Sequence, residues 1–337
     1  MLYSTPGLVL ISSILAANTY MLSAGLLYAL GATLGWAIGA FPLTNASRQL
    51  PVGSMNHLRL LLAAVVVSIL AFLAAPSVFL SLFSSLYAKA WLWLGLSGVL
   101  ALVIGDFFSF RSYAILGPQH GSVLTTLSPA AALIAGIILV NEHINIVGIA
   151  GMLITIVGVM SISLGRTQRS TIPDHGHGSV FSGIVLGILA ACCHGSALAL
   201  SKKGFIEQAN NHQQIGAIEA SMVRIVAAML FLYLLSLFMG KLKPAFTHIN
   251  DSRKGMQNTV LGTIFNPVAS VTLSMVAILY INVAVAQTIF STVPLFALFI
   301  SRIVYKEKIT KHSIAGVIAA LIGVALLIWR NKIAGLF

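Results

Sequence analysis

Seven ionisable side chains lie inside long apolar stretches of this chain: Arg59, Asp106, Arg111, His194, Glu219, Arg224 and Arg302. A charge held away from water is costly, so such groups pair with one another, bind a solute or carry a proton. Asp106 is the deepest carboxylate, well inside the apolar run near 91–114. It is the first candidate for a proton site or for a solute's ammonium group. Its alternative role is a structural ion pair with an arginine from another helix. Arg111 is excluded as that partner on a regular helix, because a spacing of five residues turns two side chains about 140° apart. The same spacing separates Glu219 from Arg224, so partners for these groups must come across a helix interface.

Arg59 and Arg224 present forks of donors that suit a carboxylate or phosphate. They read either as recruiters of an anionic group or as headgroup anchors and structural pairs, one near each membrane face. His194, with Leu198 and Ser201 on its helix face, would titrate in a proton-coupled cycle or serve as a hydrogen-bonded core residue. Tyr113, Gln287 and Asn266 are further candidates for lining a cavity. Pro129 and Pro294 interrupt apolar runs beside hydroxyl clusters at Thr125, Thr126, Ser128, Ser291 and Thr292. Proline within a helix frees the carbonyl four residues earlier, here those of Thr125 and Phe290. The freed backbone reads as a cavity wall or gating bend, or as a kink satisfied by neighbouring helices. Pro267, after Asn266, breaks another run and has no proline counterpart at 101–102.

The elements that must position these residues are membrane helices. Hydrophobic residues make up 58% of the sequence, charged residues 8%, and the mean hydropathy is +0.98, against about 25% charge in a soluble domain. A net charge of +12 would suggest nucleic acid in a soluble protein. Here the basic residues sit in short connectors and at the ends of apolar runs, where they snorkel and meet anionic headgroups. Cys192 and Cys193 are adjacent and supply neither a disulfide framework nor metal-ligand spacing. The Asp174-His175-Gly176-His177 stretch has too few ligands for a metal site and reads as a solvated loop. No metal, cofactor or nucleic-acid partner is expected.

Spans of about 20 apolar residues fall near 22–42, 57–75, 91–114, 120–140 and 145–164, then near 182–202, 217–239, 258–280, 284–304 and 312–330. The second set repeats the first at an offset of 165: Arg59 falls on Arg224, Pro129 on Pro294, Glu142 on Glu307, Gly151 on Gly316 and Gly158 on Gly323. The predicted organisation is an apolar extension over 1–21, a five-helix repeat over 22–164, a polar linker over 165–181, a second repeat over 182–330 and a tail over 331–337. Residues 1–20 contain no Lys or Arg, so the basic region of a cleavable signal is missing. Five spans are odd in number, so the second half inserts upside down relative to the first. Inverted halves place a binding site at mid-bilayer, with access alternating between faces. The segments on the face opposite the termini hold more basic residues, among them Arg48, Arg166, Lys241, Lys243 and Arg253. By loop charge alone the termini therefore lie outside.

The stretch from Gly105-Asp106 through Pro129, Glu142, Gly151 and Gly158, repeated at Pro294, Glu307, Gly316 and Gly323, resembles the EamA domain of the drug/metabolite transporter superfamily. The resemblance covers about residues 22–330. It implies an all-α, ten-helix carrier of a bacterial cytoplasmic membrane, monomeric or homodimeric, with a central cavity for a small polar or amphipathic metabolite. Members are commonly exporters of amino acids, metabolites or drugs, and usually keep both termini in the cytoplasm. Glu142 and Glu307 read as helix caps or partners of a nearby base, and the repeated glycines as close helix contacts.

The function read from the sequence is a secondary transporter of a small metabolite, such as an amino acid or related organic solute, with the bilayer and that solute as its partners. The alternative is a flippase for a lipid headgroup or an accessory subunit of an envelope pathway. An enzyme is not expected, because no HExxH, GxSxG or Cys–His pairing appears. No nucleotide-binding motif is present either, which leaves a proton gradient or facilitation, with Asp106, Glu219 and His194 as the coupling groups.

Overall fold

The computed structural model describes residues 6–165, 179–211, 213–247, 252–304 and 310–334. Glu307 and the Asp174–His177 stretch fall outside them. All described secondary structure is helical. Ten segments are long and apolar enough to cross a bilayer: Met21–Ser47, Val52–Ala74, Ser85–Leu116, Val123–Val140, Ile146–Ser163, Val180–Asn210, Ala217–Phe238, Arg253–Tyr280, Val283–Ile303 and Lys311–Ala334. Large apolar side chains such as Ile138, Val157, Phe238 and Ile303 point outward. A belt of this kind on a soluble protein would be an extensive sticky patch; in lipid it is the ordinary outer surface.

The sixth span runs to Asn210 rather than ending near 202. Its polar end stays helical because Lys203 pairs with Glu207 one turn on, at 3.1 Å. The helix of the first span begins at Pro6, so the apolar extension continues into that span. Short helices also follow the second and seventh spans, at Pro76–Ser81 and Leu242–Thr247, at nearly the repeat offset.

Packing between spans follows the repeat. The first span packs on the eighth and ninth, as the sixth packs on the third and fourth. The second meets the eighth as the seventh meets the third, while second and seventh, fourth and ninth, and fifth and tenth pack on each other. This list is unchanged when the two halves are exchanged.

The fifth and tenth spans also show the relative direction. A Cβ at Gly151 would stand 2.8 Å from the Gly323 carbonyl, and one at Gly316 would stand 2.6 Å from the Gly158 carbonyl. Ascending one helix therefore descends the other. Gly158→Leu is expected to cost on the order of 3 kcal/mol of stability, the upper end of overpacking, because the obstacle is the backbone of Gly316 and Ala320 and backbone does not repack. Thermal melts in detergent would show this; an unchanged melting temperature would mean the seam is loose.

Four of the ten spans are interrupted. The third contains a π-turn at Leu100–Gly105 and the eighth one at Ile264–Ala269, close to the repeat offset. The eighth carries Asn266 in an extended conformation (φ −141°, ψ 106°) before Pro267. The expected asymmetry is therefore present in the backbone as well: the first half turns at the corresponding place without a proline and without an extended residue. The fourth and ninth spans break at Thr126–Leu127 and Ser291–Thr292. Pro129 and Pro294 sit in the first turn of the helices that restart, Ser128–Val140 and Val293–Val304. They start new helices rather than kinking continuous ones, since proline lacks only a donor that a helix start leaves unused.

Candidate functional site

The interruptions surround a cavity of about 800 Å³ between the two halves. Arg59, Asp106 and Tyr113 reach it from the first half, and His194, Arg224, Asn266, Gln287 and Pro294 from the second. Its wall continues along Leu43, Thr44, Ser47 and Val52 to the end of the first span and the start of the second. The cavity thus opens on the face opposite the chain termini.

Asp106 is the first residue after the π-turn in the third span. Turns of this kind recur at functional sites, where one wide turn re-aims the side chains that follow. Arg59 Nη2 donates to Asp106 Oδ2 at 2.6 Å, and the Arg59 side chain is 5% exposed against 18% for Asp106. The partner does come from another helix, as the angular argument requires. His194 Nε2 lies 3.9 Å from Asp106 Oδ1 and 3.4 Å from Ser109 Oγ. Gly105 makes room for the imidazole: a Cβ there would sit 3.1 Å from His194 Cε1.

Arg59 and Arg224 do not occupy opposite membrane faces. Both line this one cavity, because equivalent residues close to a two-fold axis converge on it. Arg224 differs from Arg59 in its surroundings. Its Nη1 donates to Met275 Sδ at 3.2 Å where Arg59 meets a carboxylate; the Nε atoms of both arginines are buried without a partner among the described residues. Gly98 lets the third span lie directly against the Arg224 carbonyl.

At the helix breaks, Gln287 Nε2 donates to Ser128 Oγ at 2.9 Å, joining the two interrupted spans across the interface. Thr126 Oγ1 donates to the Val123 carbonyl at 2.6 Å and Ser291 Oγ to the Thr288 carbonyl at 2.7 Å, so these hydroxyls first satisfy their own helix ends. Trp36 stands edge-on to Phe290, ring centres 5.0 Å apart, and both line the cavity.

The sequence matches the model of the EamA-like transporter family twice, over residues 23–164 and 181–329. The chain belongs to the EamA-like transporter family. It is therefore an integral membrane transporter with two EamA domains, not an enzyme. A solved structure titled "Crystal structure of protein" is similar in fold, with a TM-score of 0.69 at 14% identity, over 90% of this chain and 97% of that one. No curated protein sequence matches the chain.

On the face that carries its termini this EamA transporter is closed. One turn beyond cavity-lining Leu198, Lys202 Nζ meets Glu142 Oε1 at 2.6 Å and donates to the Ile281 carbonyl at 2.9 Å. Glu142 Oε2 accepts from Val283 N–H at 2.7 Å, which caps the ninth span. Arg330 Nη2 donates to Asn282 Oδ1 at 2.7 Å, and Asn145 Nδ2 to the Arg330 carbonyl at 3.2 Å. The latch gathers spans from both halves. Glu142 pairs with a base, as read from the sequence, but caps the ninth span rather than the next one.

Other candidates lie elsewhere. Glu219 is buried in the first turn of the seventh span, its carboxylate folded against Gly216 where the helix N-terminus favours a negative charge. It does not line the cavity. Arg111 and Arg302 are exposed. Pro129 and Pro267 are buried at the breaks, outside the cavity wall. Trp36, Met275 and Lys202 carry no sequence signal that would single them out. Among the described residues no three His, Cys, Asp or Glu side chains gather to hold a metal.

Proposed function

We propose that this chain is a secondary transporter that exports a small organic solute of the amino-acid class across a bacterial cytoplasmic membrane. Access to the cavity alternates between faces as the inverted halves exchange positions. The observation that carries this reading is a cavity between the halves, open on one face and latched on the other. Its volume of about 800 Å³ suits a metabolite-sized ligand, since small-molecule sites run to about 300–1,000 Å³. The export direction rests on the family resemblance.

Asp106 is the coupling residue in this proposal. Protonating it removes the charge that holds Arg59, and a solute ammonium competes with Arg59 for that charge. His194, within 3.9 Å, relays the proton.

The test is uptake into proteoliposomes of radiolabelled amino acids and organic anions, with and without an imposed pH gradient, for wild type and Asp106→Asn. Accumulation that follows the gradient and vanishes in Asp106→Asn is the expected result. Flux that merely equilibrates and survives the substitution would leave a facilitator with Asp106 as a structural partner.

A further inference from the structure

We propose that Arg224 is the docking point for an anionic oxygen group on the transported solute, a carboxylate or a phosphate ester. The proposal rests on the transporter reading above and names the chemistry of its cargo.

The argument is a charge count within one cavity. Arg59 and Asp106 neutralise each other at 2.6 Å. Arg224 is 5% exposed, and no carboxylate among the described residues pairs with it. Its one described side-chain partner is the thioether of Met275, a weak acceptor, and its Nε has none. A guanidinium offers five donors in a planar fork that fits a carboxylate or phosphate. Burying such a group unpaired is unfavourable, and within a membrane it marks a solute path.

The chain contains its own control. Arg59 and Arg224 are equivalent across the repeat, and the equivalent of Asp106 is Val271. Val271 also lines the cavity. Where the first half supplies a carboxylate beside its arginine, the second supplies an apolar side chain on the cavity wall. The solute's anion completes the second pair. The Trp36–Phe290 wall, from the same cavity, receives its apolar body.

The same anionic group is found on free metabolites and on lipid headgroups, so the experiment separates them. Full-length protein in neutral detergent is titrated while Trp36 fluorescence is followed, with Trp36→Phe as the blank. The probes are phenylacetate, its neutral twin phenylacetamide, phenyl phosphate and short-chain phosphatidylglycerol. Phenylacetate or phenyl phosphate is expected to bind at least about tenfold more tightly than phenylacetamide, the scale of one charge-assisted contact. Arg224→Gln should erase that preference while melting at or above the wild-type temperature, which separates loss of the site from loss of the fold. Arg224→Lys should keep part of the preference.

Equal binding of acid and amide by wild type, no binding of any anionic probe, or a preference that survives Arg224→Gln would each overturn the proposal. Arg224-dependent binding of phosphatidylglycerol alone would keep the anion site and assign it to lipid. Because binding is measured at equilibrium, a site that behaves as expected in a protein that moves no solute would count against the transport reading alone.

Discussion

Asp106→Asn is expected to lower stability by about 3 kcal/mol, the lower end of what breaking a buried ion pair costs. The reason is what it leaves behind: the Arg59 guanidinium, 5% exposed and with its Nε unmet, loses the one carboxylate that pairs with it among the described residues. The figure sits at the low end because the Asp106 side chain is 18% exposed to the cavity. Adding Arg59→Gln should recover about half of the loss or more, since removing both charges removes the stranded one. Transport should stay silent in both single variants and in the double variant. Thermal melts combined with uptake assays check this. A double variant that regains transport along with stability would show that the pair only holds the helices together.

Breaking the latch should have an equally large effect on a different observable. Glu142→Gln keeps an oxygen to accept the Val283 N–H but loses the charge facing Lys202, so it isolates the ion pair. Lys202→Met removes both the pair and the donor to the Ile281 carbonyl. Either change should raise the population open towards the termini by about tenfold or more, the shift that about 1.4 kcal/mol produces. The measurement is the rate at which a membrane-impermeant thiol reagent, added on that face, modifies Leu198→Cys in a background with Cys192 and Cys193 replaced by Ala. An unchanged rate would mean that packing of apolar residues, rather than the latch, closes that face.

Much of this was legible in the residues themselves. Hydropathy and the repeated Pro, Glu and Gly positions carry the ten spans and the inverted halves, because lipid demands long apolar helices and duplication preserves register. The angle between Asp106 and Arg111 shows that the aspartate's partner must come from another helix. That the partner is Arg59 depends on how the second and third spans pack, which no local pattern reveals.

Both Glu219 and Asp106 are carboxylates inside apolar runs, yet one turns back to its own helix start and the other faces the cavity. The π-turn at Leu100–Gly105 has no proline to announce it, unlike its counterpart beside Pro267. Met275 and Lys202 are ordinary membrane-helix residues until a distant segment is laid against them.

The glycine seam between the fifth and tenth spans bears on how such a molecule can move. Side chains slide past one another by exchanging rotamers, but there each of Gly151, Gly158, Gly316 and Gly323 lies against backbone atoms of the facing helix, which have no rotamers to exchange. In the proposed cycle the seam is therefore the stationary axle. Displacement falls to the remaining helices, and above all to the four whose hydrogen-bond ladders are already interrupted beside the cavity. The joints and the cargo chamber are then the same place, so whatever fills the chamber acts directly on the joints.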